Sequence, residues 1–147
     1  MSSDKKNAGV FTLEFSVNGM DFAAAGDVAS TIKRTLQQLG LDPSVVRRAA
    51  VAAFEAETNI VIHAYRGSMR LNVSTRGVEI VAEDEGPGIA DIDLAMQDGF
   101  STAPQHVREM GFGAGMGLPN IKRCSDELEI ESTVGVGTKL RAFISSP

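Results

Sequence analysis

A single cysteine, Cys124, stands among the 147 residues, beside only two histidines, His63 and His106. One thiol cannot close an internal disulfide, which fits a reducing compartment, and neither a cysteine framework nor a histidine cluster exists to build a zinc site. Set between Arg123 and Ser125 in a helical pattern, Cys124 reads as a small half-buried filler rather than a nucleophile. Basic charge is also scarce: 14 Lys and Arg face 19 Asp and Glu, a net charge of −5. The doublets Arg47-Arg48 and Lys122-Arg123 are too short to track a phosphate backbone, so nucleic acid is excluded as a partner. No apolar run nears the roughly 18 residues of a membrane span, and the polar opening MSSDKKNAG lacks the apolar core of a signal peptide. No membrane is expected as a partner, and the expected location is cytoplasmic.

What is present suits an ordinary globular chain. Hydrophobic residues make up 43% and charged ones 22%, and the length predicts one domain over 10–147 behind a flexible N-terminus at 1–9. Alternation in VFTLEFSV predicts a strand over 10–17. From Asp27, Val28, Ile32, Leu36 and Leu39 recur at helical spacing and stop at Gly40. Asp42-Pro43 then opens a long, alanine-rich helix expected to run to about Tyr65 and Gly67. MRLNVST and VEIVAED follow as strands joined at Arg76-Gly77, and DIDLAMQDG as a short helix before the long loop FSTAPQHVREM. LPNIKRCSDEL predicts a third helix, LEIEST a strand, VGVG a turn and TKLRAFI the last strand. Short connections imply antiparallel pairing, so the expected class is α+β: a two-layer sandwich with about three helices on one face of a mixed, mainly antiparallel sheet.

Three stretches could carry chemistry. Glu55 and Asn59, four apart, share a face of the long helix, whereas Glu57 points elsewhere. Alone, the pair fits a buried structural Glu-Asn hydrogen bond or a solvated face better than a catalytic site. EDEGPGI places Asp84 at a strand end before Gly86 and Gly88, and alone it fits a turn better than a ligand pocket. GFGAGMGL at 111–118 alternates four glycines with small or apolar residues. It is not a P-loop, since no Gly-Lys pair exists in the chain. Nor is it a dinucleotide fingerprint: the sixth position from Gly111, Gly113 or Gly115 is Met116, Leu118 or Asn120. What remains is a bare backbone leading into a helix, where amide groups and the positive end of the dipole can hold phosphate oxygens.

EAETN at 55–59, DEGPG at 84–88 and GFGAGMGL at 111–118, in this order, resemble the three ATP-binding boxes of the GHKL superfamily of histidine-kinase-like ATPases. The size resembles the small bacterial partner-switching serine kinases and anti-sigma factors of the RsbT, RsbW and SpoIIAB group. AEDEGPGI, QDGFST and GMGLPNIKR are most similar to the RsbT branch, while TNIVIHAY is shared more widely. A histidine kinase is disfavoured, because no phosphoacceptor helix precedes the first helix and neither His63 nor His106 lies in an acceptor box.

The resemblance implies ATP and Mg²⁺ as cofactors. By it, Glu55 is the general base facing the γ-phosphate, Asn59 the Mg²⁺ ligand and Asp84 the acceptor of the adenine amino group. Gly86 and Gly88 line the base; Gly111, Gly113, Gly115, Gly117 and Leu118 wrap the phosphates; Thr138 adds a polar contact near adenine. His63, four residues after Asn59, is assigned a structural hydrogen bond at the helix end, and Arg108 that of a solvated loop residue. The implied partners are a STAS-domain antagonist protein that accepts the phosphate, a sigma factor and a downstream phosphatase. Homodimers, which RsbW-like and SpoIIAB-like members form, are carried less well by the RsbT-like features. Two other classes share the boxes: an anti-sigma factor, and an interaction module that binds ATP without transferring it.

Overall fold

The structure, a computed structural model, describes residues 11–97 and 117–147. Apolar alternation makes Phe11–Asn18 a strand (β1), with Val17 buried and Glu14 and Ser16 turned outward. A 3₁₀ turn, Phe22–Ala24, leads to α1, Asp27–Gln38, whose buried stripe is Val28, Ala29, Ile32 and Leu36. Fully burying a side chain such as Ile32 or Leu36 contributes roughly 1.5–3 kcal/mol. Gly40, at φ 76°, ends this helix. Its N–H reaches Gln37 O at 3.0 Å and the next N–H, of Leu41, reaches Leu36 O at 3.3 Å, a pair of bonds that closes a helix on a left-handed residue.

The long helix, α2, is Pro43–His63. Asp42 caps it by accepting from Ser44 N at 2.8 Å, and Pro43 supplies the preset backbone of the first turn. The helix stops at His63, earlier than expected, because Ala64 is already extended and Tyr65 N donates to Glu85 O at 2.8 Å. Strand β2 therefore spans Arg66–Ser74 and takes in Gly67. A Cβ on Gly67 would lie 2.6 Å from Glu83 O and 3.0 Å from Ile60, so glycine serves close packing of sheet on helix and not the helix end.

Strand β3 is Gly77–Glu85, paired so that Ser74 faces Gly77 and the two-residue loop is Thr75-Arg76 rather than Arg76-Gly77. A one-turn helix, α3, Ile92–Ala95, is capped by Asp91, which accepts from Leu94 N at 3.0 Å. Helix α4, Gly117–Cys124, ends four residues before the expected Leu128. Ser125 Oγ turns back to Ile121 O at 2.6 Å, and Asp126 N donates to Phe143 O at 2.8 Å, which draws the backbone into the sheet. The last strands are β4, Glu127–Thr133, and β5, Gly137–Ser145.

The sheet order is β1-β2-β3-β5-β4, and every pairing is antiparallel, so the sheet is not mixed. The last strand lies between two earlier ones. Helix α2 rides across the sheet with α1 and α4 on its flanks, and the core between the layers holds Ile60, Met69, Leu71, Ile80, Ile121, Ala142 and Ile144. The other face is open and polar. There Arg141 pairs with Glu79, with Glu129 at 3.2 Å and with Glu127 at 3.4 Å, and Asn72 donates to Glu79 at 2.7 Å. The network ties β2, β3, β5 and β4 together across that face, and its exposed outer pairs, with Glu127 and Glu129, add little stability.

Candidate functional site

The site is built on α2 and on one end of the sheet. Glu55 and Asn59 are four apart on α2 and both are half-buried on its α4 side. Asn120 of α4 donates from Nδ2 to Glu55 Oε2 at 2.7 Å, and Arg123 donates to Asn120 Oδ1 at 2.9 Å. Gly117, the first residue of α4, is bare where a Cβ would lie 3.0 Å from Asn59 Oδ1. Two sequence boxes thus meet: the carboxylate and carboxamide of α2 stand against the start of α4.

The third box lies at the sheet end. Register places Gly67, Asp84, Thr138 and Ser132 in one row across four strands. Thr138 N donates to Asp84 Oδ1 at 3.1 Å. Ser132 Oγ accepts from Ile89 N at 2.7 Å, donates to Gly137 O at 3.1 Å and lies 2.9 Å from Thr138 Oγ1. A serine hydroxyl has one proton, so with that proton on Gly137 O the Thr138 hydroxyl must donate to Ser132. Thr138 Oγ1 is left only acceptor capacity. Burial raises the Asp84 carboxyl above the ordinary carboxylate value, and the Thr138 N–H works against it.

Gly86 and Gly88 have reasons within the chain itself. A Cβ on Gly86 would press on Ala64 Cα at 3.0 Å, and one on Gly88, at φ +74°, would lie 2.5 Å from Thr133 O. They lock the Asp84 turn against the end of α2 and against the β4–β5 hairpin, where Gly86 N donates to Val136 O and Gly135 N to Pro87 O. Leu118 is a core residue with Ile121, so its side chain is occupied by packing. Gly111, Gly113, Gly115, His106 and Arg108 lie outside the described residues.

His63 corrects an expectation. It is half-buried, its ring has no hydrogen-bond partner among the described residues, and burial lowers its pKa, which favours the neutral ring. Cys124, half-buried at the end of α4, fits the filler reading: burial raises its thiol above the ordinary value, with the Arg48 charge opposing and the Glu55 charge adding. Arg48 Nε donates to Cys124 O at 3.0 Å and its other arm pairs with Asp126 at 3.1 Å, fastening α4 to α2.

Sequence reasoning missed two functional neighbours and one brace. Asn120 and Arg123, at i and i+3 on α4, were legible only as helix surface; the signal was their spacing, the partner was not. Glu57, which faces away from Glu55 as expected, is 2% exposed and accepts from Gly26 N at 3.0 Å, Val28 N at 3.2 Å and Ala29 N at 3.0 Å. One carboxylate of α2 satisfies the otherwise orphaned amides at the start of α1.

The match to the Histidine kinase-like ATPase domain model covers residues 21–144. The chain belongs to this family. It is 34% identical over 127 residues to the serine/threonine-protein kinase RsbT of Bacillus subtilis, which covers 84% of this chain and 87% of that one. It is 39% identical over 108 residues to an anti-sigma F factor of Caldanaerobacter subterraneus, covering 69% and 72% respectively. A chain of the crystallised SiaB-SiaC complex from Pseudomonas aeruginosa shares the fold, with a TM-score of 0.63 at 17% identity over 97% of this chain.

Members of this family use ATP, and the residues present fit both the nucleotide and a hard divalent ion. Asn59 Oδ1 is the type of oxygen donor Mg²⁺ takes, and the bare Gly117 keeps the space beside it open. Among the described residues no three His, Cys, Asp or Glu side chains converge. No helix among those residues is long and apolar enough to cross a membrane.

Proposed function

We propose that this protein is an ATP-dependent serine/threonine protein kinase of a bacterial partner-switching system. It acts in the cytoplasm on a STAS-domain antagonist and so regulates sigma-factor or stress signalling. The observation that carries the reading is the convergence of Glu55 and Asn59 on the start of α4, with acceptor-only Asp84 and Thr138 at the sheet end. From Glu55 to the end of α2 the rise is about 12 Å. A nucleoside triphosphate laid along that line has its base at Asp84 and its terminal phosphate beside Glu55.

Bound Mg²⁺ and ATP would supply the transferable phosphoryl group and the neutralisation of its charge. The chain's own residues do the rest. Asp84 takes a hydrogen bond from the purine amino group while Thr138 N–H holds its other oxygen. Asn59 would hold the metal through its carboxamide oxygen, and the amide groups at the start of α4 would hold phosphate oxygens. Glu55 accepts the proton of the incoming serine or threonine hydroxyl as its oxygen attacks phosphorus and the bond to the nucleoside diphosphate breaks. The 34% identity to RsbT supports transfer to a hydroxyl over hydrolysis.

A second reading, an ATP-gated anti-sigma factor, is favoured by the 39% identity to an anti-sigma F factor. Labelled ATP with Mg²⁺, offered to the STAS-domain proteins of the same organism, separates the two. Transfer by the wild type that Glu55→Gln abolishes, with ATP still bound, supports the kinase. ATP binding with no transfer to any STAS protein, together with co-purification of a sigma factor, supports the alternative.

A further inference from the structure

Asn120 sits between an anion and a cation that both belong to this site. Its Nδ2 donates to Glu55 Oε2 at 2.7 Å, and its Oδ1 accepts from Arg123 at 2.9 Å. The orientation of the amide follows from charge alone. A flipped carboxamide would set its oxygen against the Glu55 carboxylate and its NH₂ against the guanidinium, two repulsive contacts in place of two charge-assisted bonds. Arg123 therefore fixes which end of Asn120 faces Glu55.

We infer that Asn120 is a positioning residue for Glu55, set in turn by Arg123, and that by engaging Oε2 it turns Oε1, the oxygen it leaves unengaged, to the acceptor hydroxyl's proton. This rests on the reading of Glu55 as general base. A glutamate side chain has three rotatable bonds to fix, and a base must lie within hydrogen-bond reach of the proton it removes. Asn120 removes much of that freedom. It also ties the aim of Glu55 to the seating of α4, the helix that begins at Gly117 beside Asn59. A shift of α4 would release Glu55 from that aim.

Asn120→Leu keeps the volume and removes both bonds. Phosphotransfer to the STAS substrate should fall about 10- to 100-fold in kcat, with the ATP Kd and the KM for the acceptor within about twofold. Arg123→Met should lose less than Asn120→Leu. A stability cycle supplies a readout that needs no catalysis. Asn120→Asp sets two carboxylates against each other and should lower the melting temperature, and Glu55→Gln combined with Asn120→Asp restores a donor facing an acceptor and should recover it. Wild-type kcat in Asn120→Leu while Glu55→Gln is inactive would overturn the inference and leave the base in place. Wild-type transfer by Glu55→Gln would overturn the base itself. An additive stability cycle would overturn the contact whatever the activity.

Discussion

Gly117 faces Asn59 so closely that a single added methyl would sit 3.0 Å from Asn59 Oδ1. Gly117→Ala therefore separates packing from ligand binding. Alanine at the start of α4 removes backbone freedom and should hold or raise the melting temperature. The carboxamide, pushed a few tenths of an ångström, should lose Mg²⁺-dependent ATP affinity by about tenfold, near 1.4 kcal/mol. Calorimetric titration with and without Mg²⁺ measures this, and unchanged affinity would remove Asn59 from the metal site.

Glu57 should be worth more to stability than to chemistry. Glu57→Ala leaves three amides at the start of α1 unpaired and should cost about 3 kcal/mol in denaturant unfolding. Glu57→Gln keeps an oxygen acceptor but turns an NH₂ toward N–H donors and should cost less than alanine. If ATP affinity fell as far in Glu57→Gln as in Asn59→Ala, the brace would have to be counted as part of the nucleotide site.

Asp84 links pH to purine choice. Burial holds its folded-state pKa above 3.8, the native state keeps the proton longer, and stability is lost as pH rises from 3.8 through the folded value, then stays level. Asp84→Asn removes that loss, so at neutral pH its melting temperature should equal or exceed the wild type's. Thr138 N–H will hold the asparagine oxygen and turn its NH₂ toward the ligand, a donor where the carboxylate accepted. Affinity for ATP should fall and that for a 6-oxo purine triphosphate should rise relative to it. Equal losses for both nucleotides would place the base elsewhere.

His63 has the opposite dependence. Its folded-state pKa lies below 6.5, so its share of stability is whole above 6.5 and is lost as pH falls through the folded value, where the buried ring must charge. His63→Leu should flatten the fall in stability below pH 6.5. Equal slopes for the two proteins in denaturant titrations across that range would show that the ring charges without penalty.

Much of this was readable from local signals. The caps of the two long helices, Asp42-Pro43 and Gly40, set their boundaries, and β1 and the β2–β3 hairpin came from period-two alternation, each within a residue or three. The end of α4 was not, because Asp126 leaves the helix to pair with Phe143, seventeen residues on and on another strand. The site divides in the same way. Glu55, Asn59 and Asp84 stood out by spacing and by the order of their stretches, and Thr138 only through the family resemblance. Asn120, Ser132 and Glu57 did not, since each owes its role to a partner far along the chain: Glu55, Ile89 and the start of α1. Gly86 and Gly88 were noticed, but the contacts that require them, with Ala64 and Thr133, are made by the fold.

Strand β5, made last, fits between β3 and β4 and carries Thr138 to Asp84. A nascent chain still lacking residues 137–145 has no Thr138 N–H to hold Asp84, and its β4 has no strand to pair with. Closing the centre of the sheet and completing the row of Gly67, Asp84, Thr138 and Ser132 are therefore one event, which no partial pairing of the earlier strands can anticipate.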